Sequence, residues 1–181
     1  MWWVVALGVA AALMGSAVGR ASSARTWKPL STAEVVRLNK LQPRVRALVL
    51  AMRARLNAAG LDCFLGDTMR TGAEERAHLA AGRSAISVSY HQSGRAADIY
   101  MKNARGRPDV AARDRRAYDA MHAAARAVGL QVFGFLSIRT PSGQTFTDPY
   151  HVQLPDGLDR EAALARYQRG LDRSADGRVY S

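Results

Sequence analysis

The chain has 181 residues, room for one domain with a single core and too few for two sizeable ones. Hydrophobic residues make up 48% and charged residues 23%, which excludes a disordered, collagen-like or coiled-coil chain. The balance of 26 Lys+Arg against 15 Asp+Glu gives +11, nearly all of it arginine, since Lys28, Lys40 and Lys102 are the only lysines. Such a charge favours a polyanionic partner: nucleic acid, an anionic membrane surface or an anionic cell-wall polymer. With Cys63 as its single cysteine, the chain cannot build an internal disulfide framework or a multi-cysteine zinc site, so a metal would need histidines and carboxylates.

Residues 2–19 carry no charge and end at Arg20, an apolar run at the lower limit for a membrane span. Residues 1–25 are expected to act as a signal peptide or a membrane anchor with Trp2 and Trp3 at the interface, leaving 26–181 as the folded domain. The expected location is outside the cytoplasm, periplasmic or tethered to the inner membrane by residues 2–19. Basic residues follow the apolar run and none precedes it, an arrangement that by the positive-inside rule pulls the other way. Residues 1–25 hold only Arg20 and Arg25 among charged residues, so the basic character belongs to the body.

In the body, Ser31 and Glu34 have the spacing of a capping box, and apolar residues from Val35 to Leu56 recur at helical intervals. Pro43 predicts a split into two helices, the second ending near Gly60. Residues 61–69 read as a strand with Arg70 at its end, and 72–81 as a helix stopped by Gly82. A polar loop leads to a short apolar strand over 96–101. A long helix is predicted over 109–128 and closed by Gly129; strands follow over 130–135 and 144–154, around a turn at Pro141–Gly143. A last helix is predicted over 159–171. Few short strands separated by helices make an α+β pattern.

The chemically informative stretch runs from Ser89 to Asp98 and includes His91, Gly94 and Ala96; Asp148 and His151 follow some fifty residues later. Two histidines and one carboxylate can hold zinc and leave a fourth position for water. The ion polarises a carbonyl, and a further carboxylate must then take the water's proton and pass it to the leaving amine. Asp148, three residues before His151, is near enough to serve. Gly94 and Ala96 are expected where backbone packs closely beneath the metal. His78 and His122 stand outside these motifs and read as surface or core residues. Arg113, Arg115, Arg116 and Arg126 read as the wet face of a helix.

These residues resemble the zinc D-Ala-D-Ala carboxypeptidases and L-alanyl-D-glutamate endopeptidases that cut peptidoglycan stem peptides. The family's SxHxxGxAxD motif is complete from Ser89 to Asp98, its acid-x-x-His motif is matched by Asp148 and His151, and its RTxxEQ segment resembles Arg70-Thr71 followed by Glu74-Glu75. The resemblance implies His91, Asp98 and His151 as zinc ligands, Asp148 as general base, Arg70 as the cation steadying the substrate carbonyl oxygen, and Ser89 as a substrate contact. It also implies a hedgehog/DD-peptidase-like zinc peptidase fold, a small antiparallel sheet flanked by helices. The chain departs from the family in carrying Glu75 for the usual glutamine and Phe146 where many relatives have tryptophan, departures that bear on substrate fit. An aspartate at 148 in place of glutamate is closer to the phage endolysin branch, which cleaves between L-Ala and D-Glu. The alternatives are a D-Ala-D-Ala carboxypeptidase of wall remodelling and a non-catalytic zinc-bearing wall-binding module. Peptidoglycan is then the expected partner of a monomer with affinity for anionic wall or membrane surfaces. Nucleic acid is not, because no helix-turn-helix, aromatic RNA-binding or zinc-finger pattern occurs.

Overall fold

The first described helix starts at a cap written into the sequence. In the computed structural model, which describes residues 29–139, 143 and 145–178, α1 spans Thr32–Lys40 and its N-cap Ser31 forms the capping box with Glu34. Glu34 is buried, and its second carboxylate oxygen accepts the backbone N–H of Leu65 at 3.1 Å, so one side chain caps a helix and satisfies a strand edge. Pro43 opens α2, Pro43–Ala58, from its first position, where the missing N–H costs nothing. The expected split therefore stands, and Gly60 (φ +79°) ends the second helix.

Four antiparallel strands form the main sheet: β1 Cys63–Leu65, β2 Ala96–Met101, β3 Gln131–Val132 and β6 His151–Gln153, in the order β1-β2-β6-β3. A hairpin of β4 Ser137–Arg139 and β5 Thr145–Thr147 stands apart. The remaining helices are α3 Gly72–Ala80, α4 Arg115–Ala127 and α5 Arg160–Gln168, and Tyr90–Ser93 makes a 3-10 turn. Alternation along the strands gives the sheet two unlike faces. Cys63, Leu65, Ala97, Ile99, Met101 and Val152 point into the core shared with Val45, Val49 and Met52 of α2 and Tyr118 and Met121 of α4. The opposite face carries Asp98 and His151, which are direct cross-strand partners.

Several expectations need correction. The strand predicted over 61–69 pairs in regular register only as far as Leu65. The N–H of Gly66 then donates to the Asp98 carbonyl at 2.8 Å and the Asp67 carbonyl accepts the Asp98 N–H at 2.8 Å, so two residues oppose one as in a β-bulge. The bend turns the following residues across the sheet and brings Arg70 to Asp98. The helix predicted over 109–128 begins at Arg115. Asp109 is held by Tyr118, whose hydroxyl donates to its carbonyl at 2.6 Å, and Asp114 caps the helix by accepting the Ala117 N–H at 3.0 Å. The strand predicted over 144–154 is two strands in two sheets, because Pro149 has no N–H for a ladder and its carbonyl is taken by His122 Nε2 at 2.6 Å. His122 is thus a buried core residue.

Gly94 takes φ +66° and stops the 3-10 turn. A Cβ there would lie 3.0 Å from the Lys40 carbonyl, so the backbone it meets is the α1–α2 junction and not the floor of a metal site. Ala96, fully buried, packs with Tyr90 and Ala163 of α5. Residues 1–25, with their expected signal or anchor, lie outside the described residues, as do Pro141 and Ser142; no described helix is long and apolar enough to cross a membrane.

Burial opposes the charge on Glu34, yet the N–H and hydroxyl of Ser31, the Leu65 N–H and the positive charge of Arg53 together hold its pKa below the usual value. A depressed carboxylate pKa adds stability above the unfolded value and loses it as pH falls through the folded one. Glu34→Gln should therefore cost about 1–3 kcal/mol at neutral pH, and the gap from the unaltered protein should close as pH drops below 4.5. Thermal melts across pH check this; a gap that stays constant into acid contradicts it.

Candidate metal centre

Asp98 and His151 face each other on neighbouring strands, and His91 enters from the 3-10 turn that precedes β2. All three are buried. His91 Nε2 lies 3.2 Å from His151 Nδ1 and 3.3 Å from Asp98 Oδ1, and His151 Nδ1 lies 3.5 Å from the same Oδ1. Ligands about 2.0–2.2 Å from a tetrahedral zinc stand roughly 3.3 Å apart. The triangle thus has the edges of a zinc site and can hold one ion.

The tautomer fits as well. His151 Nε2 meets Gln153 Oε1 at 3.0 Å, and as a donor there it leaves Nδ1 with a free lone pair. Gln153 is in turn fixed by donating to Gln131 Oε1 at 3.3 Å. On the other side of Asp98, Arg70 Nη2 donates to Oδ2 at 3.0 Å, so the carboxylate offers one oxygen to the triangle and the other to a guanidinium. Burial disfavours the charge on Asp98, but the two histidines outweigh it and lower the pKa well below the ordinary range. The Asp98 hydrogen bond and the negative charges of Asp148 and Asp98 raise His151 above its usual value against the opposing effect of burial.

Asp148 sits at the turn before β6 with Oδ2 3.8 Å from His151 Nδ1. Its Oδ1 is buried and has no hydrogen-bond partner among the described residues. Burial pushes its pKa up. Arg70 is 13% exposed and contacts three carboxylates: Asp98, Glu75 at 3.3 Å and Asp67 at 3.5 Å. Ser89 is buried, its hydroxyl donating to Glu75 Oε2 at 3.2 Å and accepting the His91 N–H at 3.2 Å. The structure therefore gathers all six residues singled out from the sequence around one point. It adds Glu75, Gln153 and His122, which sequence reasoning did not place there. Gln153 was findable, because it lies two residues from His151 on the same strand face.

No family model matches the chain, and no curated protein matches it. Among solved structures it is similar to the Serratia marcescens L-Ala D-Glu endopeptidase ChiX, with 19% identity and a TM-score of 0.50 over 69% of this chain and 88% of that one. It also matches the vancomycin-resistance D,D-pentapeptidase VanY from a VanB-type cassette, a mutant in complex with Zn(II), with 17% identity and a TM-score of 0.42 over 72% and 79% of the two chains. The first likeness shows the fold: a small antiparallel sheet flanked by helices.

The geometry sets an expected stoichiometry of one zinc per chain by metal analysis, abolished in a His91→Ala/His151→Ala double variant. Protons compete for His151, whose pKa is raised, so zinc affinity should weaken as pH falls and begin to do so above 6.5. Titration with a chelator at several pH values checks the sign; affinity that rises on acidification contradicts it.

Proposed function

We propose that the protein is a zinc metallopeptidase of peptidoglycan stem peptides, cutting the bond between L-Ala and D-Glu. The observation that carries this is the buried Oδ1 of Asp148, without a hydrogen-bond partner among the described residues, beside a triangle of zinc-like dimensions. A structural zinc site is closed by four protein ligands, whereas three ligands with an idle carboxylate beside them suit hydrolysis. A zinc ion held there supplies Lewis acidity toward the scissile carbonyl and lowers the pKa of a bound water to about 7.

The chain's own residues do the rest. His91, Asp98 and His151 hold the ion. Asp148 accepts a proton at Oδ1 from the attacking water and delivers it to the amine nitrogen as the peptide bond breaks. For that it must be ionised, so activity falls on the acid side. Arg70, 3.0 Å from Asp98, presents a positive charge beside the triangle and steadies the substrate carbonyl oxygen as it turns negative. The resemblance that implies Ser89 as a substrate contact is met here by a hydroxyl already engaged with Glu75 and the His91 N–H, and we assign it to holding the turn that carries His91. The choice of bond rests on the aspartate at 148 and on the fold shared with a protein named as an L-Ala D-Glu endopeptidase. A wall substrate puts the protein outside the cytoplasm, where its arginine-rich surface meets anionic polymer.

Digestion of purified peptidoglycan followed by mass spectrometry tests the proposal. New L-Ala carboxyl and D-Glu amino termini are expected; release of free D-Ala identifies a carboxypeptidase, and no new termini a binding module. Asp148→Asn keeps the shape of the side chain and its turn but cannot take a proton. It should retain zinc and lose about 10²- to 10⁴-fold in turnover. Near-normal hydrolysis by that variant refutes the general-base role.

A further inference from the structure

α3 buries a single residue, and that residue is a carboxylate. Glu75 is wholly inaccessible to solvent. Its Oε1 accepts the Ser84 hydroxyl at 2.7 Å, and its Oε2 accepts the Ser89 hydroxyl at 3.2 Å and Arg70 Nη1 at 3.3 Å. A carboxylate buried this way needs every one of its partners.

Each partner on Oε2 leads to a different corner of the metal triangle. Arg70, fixed at one nitrogen by Glu75, uses the other to hold Asp98 Oδ2 at 3.0 Å. Ser89, fixed by Glu75, accepts the backbone N–H of His91 at 3.2 Å and so sets the first residues of the 3-10 turn. The two arms are tied again where the Arg70 N–H donates to the His91 carbonyl at 3.3 Å. Glu75 touches neither the triangle nor Asp148. It sits one residue away from two of the three corners, on a helix that contributes no ligand.

We infer that Glu75 is a positioning residue of the metal centre, which sets Asp98 through Arg70 and His91 through Ser89 from a single buried carboxylate. The inference rests on the reading of His91, Asp98 and His151 as a zinc site. The role belongs to hydrogen-bond acceptance at Oε2. An amide at position 75 can turn its oxygen toward Arg70 and Ser89 and its NH₂ toward the Ser84 hydroxyl, so it preserves both arms. An aspartate keeps the charge but is one methylene too short to reach Ser84 and the two arms together. A leucine keeps the volume and abolishes both arms.

Zinc affinity by chelator competition, with apo-protein melting temperature measured alongside, tests this without reference to hydrolysis. Loss of a residue that orients ligands typically weakens metal binding about 10- to 100-fold. Glu75→Leu and Glu75→Asp are each expected to lose about that much, and Glu75→Gln to stay within about threefold of the unaltered protein. Should the leucine variant fail to fold, the aspartate and glutamine pair carries the test. The loss from Glu75→Asp should also be less than additive with Ser89→Ala, because the two changes break the same arm. Unchanged zinc affinity in Glu75→Asp, an equal loss in Glu75→Gln, or full additivity with Ser89→Ala each overturns the inference. If the unaltered protein binds no zinc, the metal-site reading itself falls, an outcome distinct from variants that bind as tightly as their parent.

Discussion

The structure turns on the burial of one charge, the carboxylate of Asp98. Removing a carboxylate from water costs several kcal/mol even after the protein relaxes, so it persists in the ionised state only with partners on every side. Asp98 has Arg70 at one oxygen and the facing nitrogens of His91 and His151 at the other. Around this point Asp67, Glu75 and Asp98 share the guanidinium of Arg70, and Asp148 lies 3.8 Å from His151. Three carboxylates sharing one guanidinium leave a deficit of positive charge at the place where three ligand atoms converge. A dication there would restore the balance, and the hydrogen bond to Asp98 with the negative charges of Asp148 and Asp98 raises the pKa of His151 against the effect of burial.

The fold reads as the means of holding that charge. Antiparallel pairing of β2 with β6 puts Asp98 opposite His151, and the alternation that aims them at the site sends Ala97, Ile99 and Val152 into the core. The two requirements share one register, since a slip by one residue would expose the core set and bury the wrong side chains. The bulge at Gly66 and Asp67 and the αL glycine at position 94 serve this arrangement from either side. The first carries Arg70 across the sheet; the second ends the turn that delivers His91 and seats it on the α1–α2 junction. His122, from α4, fixes the carbonyl of Pro149 between Asp148 and His151, so the core reaches the proposed base through one hydrogen bond.

What could be read from the residues depended on how local each feature is. Ser31 and Glu34, Pro43, and the apolar run over 96–101 act within a few residues, and the capping box, the break between α1 and α2 and the bounds of β2 follow from them. His91, Asp98, Asp148 and His151 were legible because their spacing has chemical meaning. Long-range hydrogen bonds decided the rest. Nothing near Asp109 shows that Tyr118 will hold it outside the helix, and nothing near Thr147 shows that His122 will take the Pro149 carbonyl and divide one apolar stretch into two strands. Glu75 was visible only as a departure from a motif, since its three partners lie up to fourteen residues away in sequence.

The central claim is that two imidazoles and one carboxylate oxygen hold a zinc ion whose fourth position is open to water. X-ray absorption at the zinc edge of the purified protein tests it most directly. The account predicts a four-coordinate ion with nitrogen and oxygen neighbours at about 2.0–2.1 Å and the outer-shell scattering of two imidazole rings. A sulfur neighbour at about 2.3 Å would place the ion at Cys63 or elsewhere, and a shell with no imidazole scattering would remove the metal from the His91–Asp98–His151 triangle.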